Sequence, residues 1–370
     1  MTVPPFQPLS VHVPLGERSY RVLIGASVLG QLAGEVSDFG FGKKCAIITD
    51  SNVGPLYGNA VAEPLRQAGY TPTVITVPAG ESSKSLKVVE TVCDEMIAAG
   101  LDRKSWVIAL GGGVIGDLAG FVAAIYYRGI PFVQIPTTII AQVDSAVGGK
   151  TGVNATHGKN LIGSFHQPRL VLADVQTLQS LPPREFNEGF AEVIKHGIIR
   201  DRSLLGRLKV PNLQFESGQL AAIIQRNVEI KAAIVAEDEH ETKGLRALLN
   251  FGHTIGHGIE NAAGYGRLLH GEAISLGMRA AAHLSRQVAG LSEVEYGQIL
   301  DLLAYFRLPL VLDPEIATEK IMAALRTDKK FAAGEVRFVL TPRLGEAYLS
   351  REVTLDQIRE AIELLRQPAG

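Results

Sequence analysis

The residues of this sequence best suited to chemistry lie in its second half, where histidines and a carboxylate stand among glycines. His253 and His257 are four residues apart, a spacing that puts both side chains on one face of a helix. His270 follows, and Glu192 lies one helical turn before Lys195. Two histidines and a carboxylate with an open fourth position are typical of a catalytic zinc site. The pattern predicts a metal site, although spacing alone does not choose among the three histidines, and core or capping histidines are the alternative.

A second candidate is the glycine-rich run GGGVIGD at 111–117, directly after the apolar run WVIAL. It satisfies G-x-G-x-x-G between a predicted strand and a predicted helix. Glycines let the backbone approach a pyrophosphate, and a helix N-terminus favours negative charge. The run therefore predicts a dinucleotide site. The alternative is a tight turn that serves only helix–strand packing.

The residue that would bind the ribose is unusual. The ordinary dinucleotide fold has an acidic residue about 20 positions after the glycines, but this sequence reads Ile135-Pro136-Thr137 there. Asp50, which ends an earlier predicted strand, is the alternative partner. A further loop, Gly80-Glu81-Ser82-Ser83-Lys84, offers polar contacts or a plain helix cap.

The third candidate is the stretch 144–160, which is rich in glycine and contains two lysines. Its Gly-Gly-Lys-Thr at 148–151 resembles the end of a phosphate-binding loop, but the first glycine of that motif would fall on Asp144. The motif therefore fails. We expect an irregular loop whose Lys and Asn side chains bind an anionic or hydroxylated ligand. A solvated loop without a ligand is the alternative.

The elements that must position these residues differ between the halves. Short β-rich runs alternate with helical patterns as far as about residue 180, which predicts parallel strands with crossover helices after an initial hairpin. Beyond Leu181-Pro182-Pro183 the periodicity is almost entirely helical, except for a late hairpin. We predict an α/β protein with an N-terminal Rossmann-like, doubly wound domain at 1–180. A mainly α-helical domain that binds metal and substrate follows at 181–370. Predicted helices there include 184–199, 220–237, 246–263 and 271–289.

Composition narrows the class of protein. The formal charge is 36 − 38 = −2, so no global basic field favours nucleic acid or an anionic membrane. Cys45 and Cys93 both lie in apolar runs, which fits a reducing compartment. The start has no basic or apolar leader pattern, and the strongest apolar stretch, 118–127, is far shorter than the roughly 20 residues of a membrane helix. A cytoplasmic location is expected.

Six separated segments together resemble one known family: GGGVIGDLAGF, QIPTTIIAQVDSAVGGKTGVN, GKNLIGSFHQP, AEVIKHGII, LRALLNFGHTIGHGIE and LLHGEAISLGM. They are similar to 3-dehydroquinate synthase, of the sugar phosphate cyclase superfamily, over about Leu23 to Leu349. The resemblance implies a homodimeric lyase that binds NAD and Zn²⁺ or Co²⁺. Its substrate would be 3-deoxy-D-arabino-heptulosonate 7-phosphate, and its products 3-dehydroquinate and phosphate, in the shikimate pathway.

The resemblance also implies the chemistry. NAD would oxidise the substrate transiently, phosphate would leave by β-elimination, hydride would return, and an intramolecular aldol step would close the ring. Two rivals remain: a related sugar-phosphate cyclase whose substrate has no carboxylate, and a metal-dependent polyol dehydrogenase that releases NADH. Lys231, Arg246 and His257 favour a substrate with a carboxylate. We expect Arg246, Asn250, His253 and His257 to lie along one helical face.

The family's site residues carry over by position. The metal ligands implied are Glu192, His253 and His270. The implied NAD contacts are Asp50, Glu81, Lys84, Gly113, Val114, Ile115, Gly116, Asp117, Thr137, Thr138, Lys150, Lys159, Thr177, Leu178, Gln179 and Ser180. The implied substrate contacts are Asp144, Lys150, Asn160, Lys195, Lys231, Arg246, Asn250, His257 and either Lys329 or Lys330. Arg128 matches an arginine that reaches into the neighbouring subunit's site.

Overall fold

The structure is a computed structural model that describes residues 7–156, 158–213, 217–264, 266–327 and 337–369. It has two compact units: Met1–Leu181 with Leu213–His240, and Pro182–Asn212 with Glu241–Gly370. The first division lies beside the boundary expected at residue 180. The chain also returns to the first unit for Leu213–His240, a crossing that the sequence pattern does not indicate. The ligands assigned to each domain stay a prediction.

The first unit contains a seven-stranded sheet of order β1-β2-β9-β6-β5-β3-β4 and a separate two-stranded hairpin, β7-β8. β1 and β2 form the predicted antiparallel hairpin, and the other neighbours in the large sheet are parallel. The strands are β1 Leu9–Val13, β2 Tyr20–Gly25, β3 Lys44–Asp50, β4 Thr71–Val77, β5 Trp106–Gly111, β6 Phe132–Pro136, β7 Lys150–Ala155, β8 Gly158–Phe165 and β9 Leu170–Asp174.

Helices cover both faces of this sheet. The helices along the described chain are α1 Leu32–Val36, α2 Gly54–Gln67, α3 Leu86–Ala98, α4 Gly113–Ile125, α5 Pro183–Glu188, α6 Phe190–Arg200, α7 Arg202–Gly206, α8 Ser217–Glu237, α9 His253–Ala263, α10 His270–Leu284, α11 Glu293–Tyr305, α12 Thr318–Thr327 and α13 Leu355–Leu364. α1 to α4 and α8 belong to the first unit, and the others to the second.

The central strand β5 shows why the strand patterns are continuously apolar. Trp106 and Ile108 point into one apolar cluster, with side chains of α1 and α2. Val107 and Ala109 point into the opposite cluster, with side chains of α3 and α4. Successive strand residues face opposite sides of a sheet, so a strand covered on both faces has no polar side. The predicted doubly wound α/β fold is confirmed.

The stretch at 150–165 is a hairpin and not the irregular loop that we expected. β7 pairs antiparallel with β8, and Gly152 stands opposite Gly163. A Cβ on Gly163 would lie 2.2 Å from the carbonyl oxygen of Thr151, so the backbones here touch without side chains. Glycine is uncommon inside strands, so the sequence of this segment does not show a recognisable strand pattern.

The second unit is helical, with one hairpin, β10 Phe338–Arg343 and β11 Glu346–Ser350. The helix predicted at 184–199 is two helices, α5 and α6, separated at Gly189. The helix predicted at 271–289 is α10 followed by a π-helical turn, Ser285–Ala289. In the described ranges, no helix combines the length and the low charge needed to cross a bilayer.

The helix predicted at 246–263 is also divided, so the expectation of one helical face was wrong. Arg246 and Asn250 lie in a 3₁₀ helix, Leu245–Asn250, and α9 begins at His253. Gly252 between them has φ +79°, a left-handed conformation that glycine adopts without steric cost. The helical pattern is interrupted at Gly252, so only His253 and His257 of the predicted row share a helix.

Candidate functional site

Three side chains of the second unit converge on one point. Glu192 lies on α6, and His253 and His270 are the first residues of α9 and α10. Glu192 Oε1 is 3.4 Å from His253 Nε2 and 3.5 Å from His270 Nε2. All three atoms lie within 4.8 Å of one another. Two imidazole nitrogens and one carboxylate oxygen at this spacing are suited to a divalent metal.

The hydrogen bonds around this triangle fit a cation at its centre. Glu192 Oε1 is buried and accepts no hydrogen bond from any described residue, whereas Oε2 accepts one from Lys195 Nζ. A buried carboxylate oxygen without a partner is costly, and a metal ion would remove that cost. His253 Nδ1 donates to the carbonyl oxygen of Phe251 at 3.2 Å, which leaves the Nε2 lone pair for a metal.

The pKa shifts of the three side chains are consistent with metal binding. Burial opposes the charged form of Glu192, but Lys195 and the imidazoles hold the pKa of its carboxyl well below the usual range. Burial lowers the pKa of His253, so this ring is neutral. Burial also disfavours charge on His270, yet its contacts with Glu192 and Glu260 raise its pKa to about 10. A proton on His270 would therefore leave when a metal binds.

His257 has a different environment from the other two histidines. Its side chain is exposed, and its ring centroid lies 5.2 Å from that of His253. Glu260, one turn later on α9, has Oε2 3.7 Å from His270 Nδ1, a carboxylate–histidine contact of the kind that orients metal ligands. Glu260 was not among the predicted ligands, although its i+3 spacing from His257 places both side chains on one face of α9. Of the two described sets that share His270, the set of Glu192, His253 and His270 contains a buried carboxylate, whereas Glu260 is only half-buried.

Close backbone packing at glycines brings the two ligand histidines, His253 and His270, together. A Cβ on Gly277 of α10 would lie 1.9 Å from the carbonyl oxygen of Gly252. A Cβ on Gly256 of α9 would lie 3.0 Å from the carbonyl oxygen of Ala273. The backbone at the start of α9 therefore touches the first half of α10. The glycines beside the histidines thus allow a second helix to approach closely.

In the first unit, the predicted dinucleotide turn joins β5 to α4, and α4 begins at Gly113 without a side-chain cap. Some of its glycines serve packing. Cβ atoms at Gly111 and Gly116 would lie 2.8 Å from Ile115 and 2.7 Å from Gln134 Oε1. At Gly113 a Cβ would lie 3.1 Å from Ser145 Oγ. The turn thus combines tight packing with an uncapped helix N-terminus, which is suited to a phosphate.

Polar groups follow the carboxyl ends of the neighbouring strands. Asp50 ends β3, and its Oδ1 accepts the N–H groups of Asn52 and Val53 at 2.8 and 2.9 Å. Thr137 directly follows β6, and its Oγ1 is buried with no hydrogen-bond partner in the described part of the chain. Ligands of open α/β sheets bind at this edge. Thr138, another predicted residue, accepts the N–H of Ala141 on its Oγ1. The remaining predicted residues lie in a 3₁₀ helix and are Thr177, Leu178, Gln179 and Ser180.

Lys84 gathers several predicted residues into one network. Its Nζ donates to Asp117 Oδ2 at 2.7 Å and to Asn160 Oδ1 at 2.5 Å. Burial raises the pKa of Asp117 against the opposing effect of Lys84. Asn154 joins the network by donating to Glu81 Oε1 at 2.8 Å. Asn154 was missed as a site residue although it stands in the quoted motif.

The predicted substrate cations are in different environments. Lys231 on α8 donates from Nζ to the carboxylate and the backbone oxygen of Asp144, both in the first unit. In the second unit, Arg246 is buried, and its Nε is 3.5 Å from Glu241 Oε1. The other predicted residues are Lys150 and Lys159, exposed on the hairpin, Asn250, half-buried, and Arg128, at φ +68°. Lys329 and Lys330 lie outside the described residues.

Comparison with known proteins shows which family this chain resembles in sequence. Sequence models described as 3-dehydroquinate synthase N-terminal and C-terminal match residues 74–188 and 189–331. A 3-dehydroquinate synthase of Symbiobacterium thermophilum is 47% identical over 95% of this chain and 99% of its own.

Two solved structures are similar over nearly the whole chain. ValA, a 2-epi-5-epi-valiolone synthase of Streptomyces hygroscopicus with NAD⁺ and Zn²⁺ bound, has TM-score 0.86 and 31% identity, and covers 95% of this chain and 98% of its own. A 2-deoxy-scyllo-inosose synthase with carbaglucose-6-phosphate, NAD⁺ and Co²⁺ has TM-score 0.84 and 27% identity over 96% and 99%. Together with the matched sequence models and the 47% identical relative, these likenesses establish that the chain belongs to the 3-dehydroquinate synthase family.

Proposed function

We propose that this protein is a lyase that converts 3-deoxy-D-arabino-heptulosonate 7-phosphate into 3-dehydroquinate and phosphate. The observation that carries the proposal is the buried triangle of Glu192, His253 and His270, with a carboxylate oxygen that accepts no hydrogen bond in the described chain. It is supported by the 47% identical relative and by the NAD⁺ and Zn²⁺ or Co²⁺ in two similar structures. We assign NAD and one Zn²⁺ or Co²⁺ to this chain as cofactors.

The second unit would provide the metal site and part of the substrate site. A metal held by Glu192, His253 and His270 supplies Lewis acidity, which lowers the pKa of a substrate hydroxyl. Lys195 keeps Glu192 ionised through its other carboxylate oxygen, Oε2. Arg246 has a planar fork that can bind a carboxylate through two parallel hydrogen bonds. Asn250 and His257 are the adjacent polar groups for the substrate hydroxyls.

The first unit would provide the NAD site. NAD supplies a hydride acceptor and then a hydride donor. The N–H groups at the start of α4 would bind its pyrophosphate, and the carboxylate of Asp50 a ribose. Thr137 Oγ1, which has no other partner among described residues, would donate to or accept from the same cofactor. The cations Lys84, Lys150 and Lys159, with Asn160, provide charge-assisted hydrogen bonds for anionic ligands.

Phosphate release without net NADH production is the experiment that tests this function. Purified protein is mixed with NAD, Zn²⁺ and the heptulosonate phosphate, and phosphate, NADH and dehydroquinate are measured. A stoichiometric yield of NADH would instead establish a polyol dehydrogenase. Turnover of a sugar phosphate without a carboxylate, with none of the heptulosonate phosphate, would establish a different cyclase.

Gly113→Val is expected to weaken NAD binding. The first added carbon would lie 3.1 Å from Ser145 Oγ, and the branch would occupy the space before the helix N-terminus. A side chain in the space that the pyrophosphate must enter should weaken NAD binding by about tenfold or more, which corresponds to about 1.4 kcal/mol. Isothermal titration calorimetry with NAD measures the Kd. Gly34→Val on α1, where the added carbon has no neighbour within 4 Å, is the control. Unchanged NAD affinity in Gly113→Val would contradict the placement.

Arg246→Lys is expected to lower kcat/KM by about 30-fold or more. The lysine keeps the charge but loses the planar fork, and loss of one partner of a buried charged hydrogen bond costs about 2–5 kcal/mol. Arg343→Lys breaks a similar but exposed fork, to Glu346, and should not change kcat/KM. A substrate analogue with a hydroxymethyl group in place of the carboxylate should bind Arg246→Lys and the parent equally. Equal losses for both ligands would show that Arg246 does not bind the carboxylate.

A homodimer is a further proposal, which rests on the family resemblance, and a cytoplasmic location is another, which rests on the composition of the sequence. Arg128, which would reach the partner's site, has a left-handed backbone next to Tyr127, at φ +68° and +49°. Sedimentation of the parent and of Arg128→Ala tests the assembly. A monomeric parent with full activity would refute a site that needs Arg128 from a second copy.

A further inference from the structure

His270 is the least enclosed of the three proposed metal ligands. Its side chain is 33% exposed, against 0% for Glu192 and 9% for His253. It is also the first residue of α10, where backbone N–H groups have no partner within the helix. Packing of the imidazole alone therefore does not fix its position. Besides the contact of its Nδ1 with Glu260, contacts to the backbone on either side of His270 can fix its position.

Helix α5 makes the first of these contacts, on the C-terminal side of His270. The N–H of Gly271 donates to Glu188 Oε2 at 2.6 Å. A Cβ on Gly271 would lie 2.0 Å from the carbonyl oxygen of Glu188, so the two backbones touch and no other residue fits. One free N–H of α10 is thus bound by a carboxylate of α5.

A second contact from α5 reaches the residue before His270 through Glu272. Arg184 binds Glu272 with two parallel hydrogen bonds, Nε to Oε1 and Nη2 to Oε2, each 2.7 Å. Glu272 Oε2 also accepts the N–H of Leu269 at 2.8 Å. Arg184 therefore orients the carboxylate that holds the chain at Leu269. Helix α5 thus acts on both sides of His270, directly at Gly271 and through Glu272 at Leu269.

We propose that Glu188 and Arg184 are positioning residues for the metal ligand His270. They fix the backbone on either side of it, so that Nε2 faces Glu192 Oε1. The inference rests on the proposed function, since it assumes that the triangle binds a metal. Neither residue was selected by the sequence analysis. Partners that orient metal ligands typically contribute about 10- to 100-fold to metal affinity.

Glu188→Ala tests the first contact by metal binding alone. Zinc affinity is measured by competition with a chromophoric chelator, and the visible spectrum of the Co²⁺-loaded protein reports the ligand geometry. We expect a Zn²⁺ Kd about 10- to 100-fold weaker and an altered Co²⁺ spectrum. Glu188→Gln keeps an oxygen that can accept from Gly271, so it should restore most of the affinity and the parent spectrum. Parent-like zinc affinity in Glu188→Ala, or equal losses in both variants, would overturn the proposal.

Arg184→Ala tests the second contact against a matched control. Arg359→Ala removes a comparable arginine from Glu319, on α12 and α13 of the same unit. We expect weaker zinc binding in Arg184→Ala and parent-like binding in Arg359→Ala. The rise in Tm on adding zinc separates positioning from plain stability, because ligand binding adds a stability increment set by affinity. A lower Tm with an unchanged zinc increment would assign both residues a structural role only.

The outcomes of these measurements distinguish a failure of the positioning proposal from a failure of the proposed function. If the parent binds zinc at the triangle but releases no phosphate from the heptulosonate phosphate, the proposed function is wrong and the positioning result still stands. If the variants bind zinc like the parent while the parent is active, the positioning proposal is wrong and the function stands. Should Glu188→Ala fail to fold, Glu188→Gln and Arg184→Ala still decide the outcome.

Discussion

His253→Ala is expected to remove bound metal and nearly all activity while the fold persists. His253 Nε2 is one of three atoms within 4.8 Å of one another around Glu192 Oε1, and its neutral ring is fixed by the carbonyl oxygen of Phe251. Loss of a partner that merely orients a ligand costs up to about 100-fold in metal affinity, so loss of the ligand itself should exceed this. Metal content by elemental analysis and a chelator competition measure the effect.

His257→Ala is the matched control for that experiment. It lies one turn later on the same helix and is exposed. It should retain zinc with parent affinity, although its proposed contact with the substrate predicts lower activity. Circular dichroism would show that both variants keep the fold. Zinc loss in His257→Ala together with zinc retention in His253→Ala would reverse the ligand assignment.

Gly277→Ala is expected to destabilise the second unit and to weaken metal binding. The added methyl would lie 1.9 Å from the carbonyl oxygen of Gly252 and 2.7 Å from the nitrogen of Gly256. Overpacking usually costs about 1–3 kcal/mol. We expect at least about 3 kcal/mol, because the obstructing atoms are backbone. That would lower Tm by roughly 6–12 °C. Since α9 must move away from α10, His253 and His270 would separate, and zinc affinity should fall as well.

Gly297→Ala gives the opposite expectation for the same chemical change. Gly297 lies within α11, and an added Cβ there has no neighbour within 4 Å. Alanine is favoured over glycine in a helix by up to about 1 kcal/mol, so its Tm should be equal or higher, with unchanged zinc affinity. Differential scanning calorimetry with and without zinc compares the two variants. Equal Tm values for both variants would show that α9 and α10 are not in backbone contact at Gly277.

Local sequence patterns were sufficient for the main elements of the first unit. Strands such as β3 and β5 are short apolar runs covered on both faces, so their length and residue types, and not periodicity, identify them without tertiary information. The same patterns failed at β7 and β8, where Gly152 and Gly163 remove the side chains that a strand pattern needs. They also failed at Gly252, because the sequence periodicity continues through a residue whose positive φ interrupts the helix.

The residues of the candidate site were identifiable by type, and the family resemblance implied their roles. Spacing could show that His253 and His257 share a helical face, because that relation is local. It could not choose His270 over His257, because that choice depends on which helix packs against which. Contact between the backbones of α9 and α10 at Gly252 and Gly277 decides it.

What the sequence by itself determined is the set of chemical groups, the secondary structure around most of them and the family. Only the tertiary structure decided which groups meet. It pairs Lys231 with Asp144 and leaves Glu192 Oε1 facing two imidazoles without a hydrogen bond from the described chain. It also brings Glu188 to the backbone of Gly271, 83 residues away. Helix propensity and periodicity act over a few residues, whereas these contacts join distant segments, so no local pattern contains them.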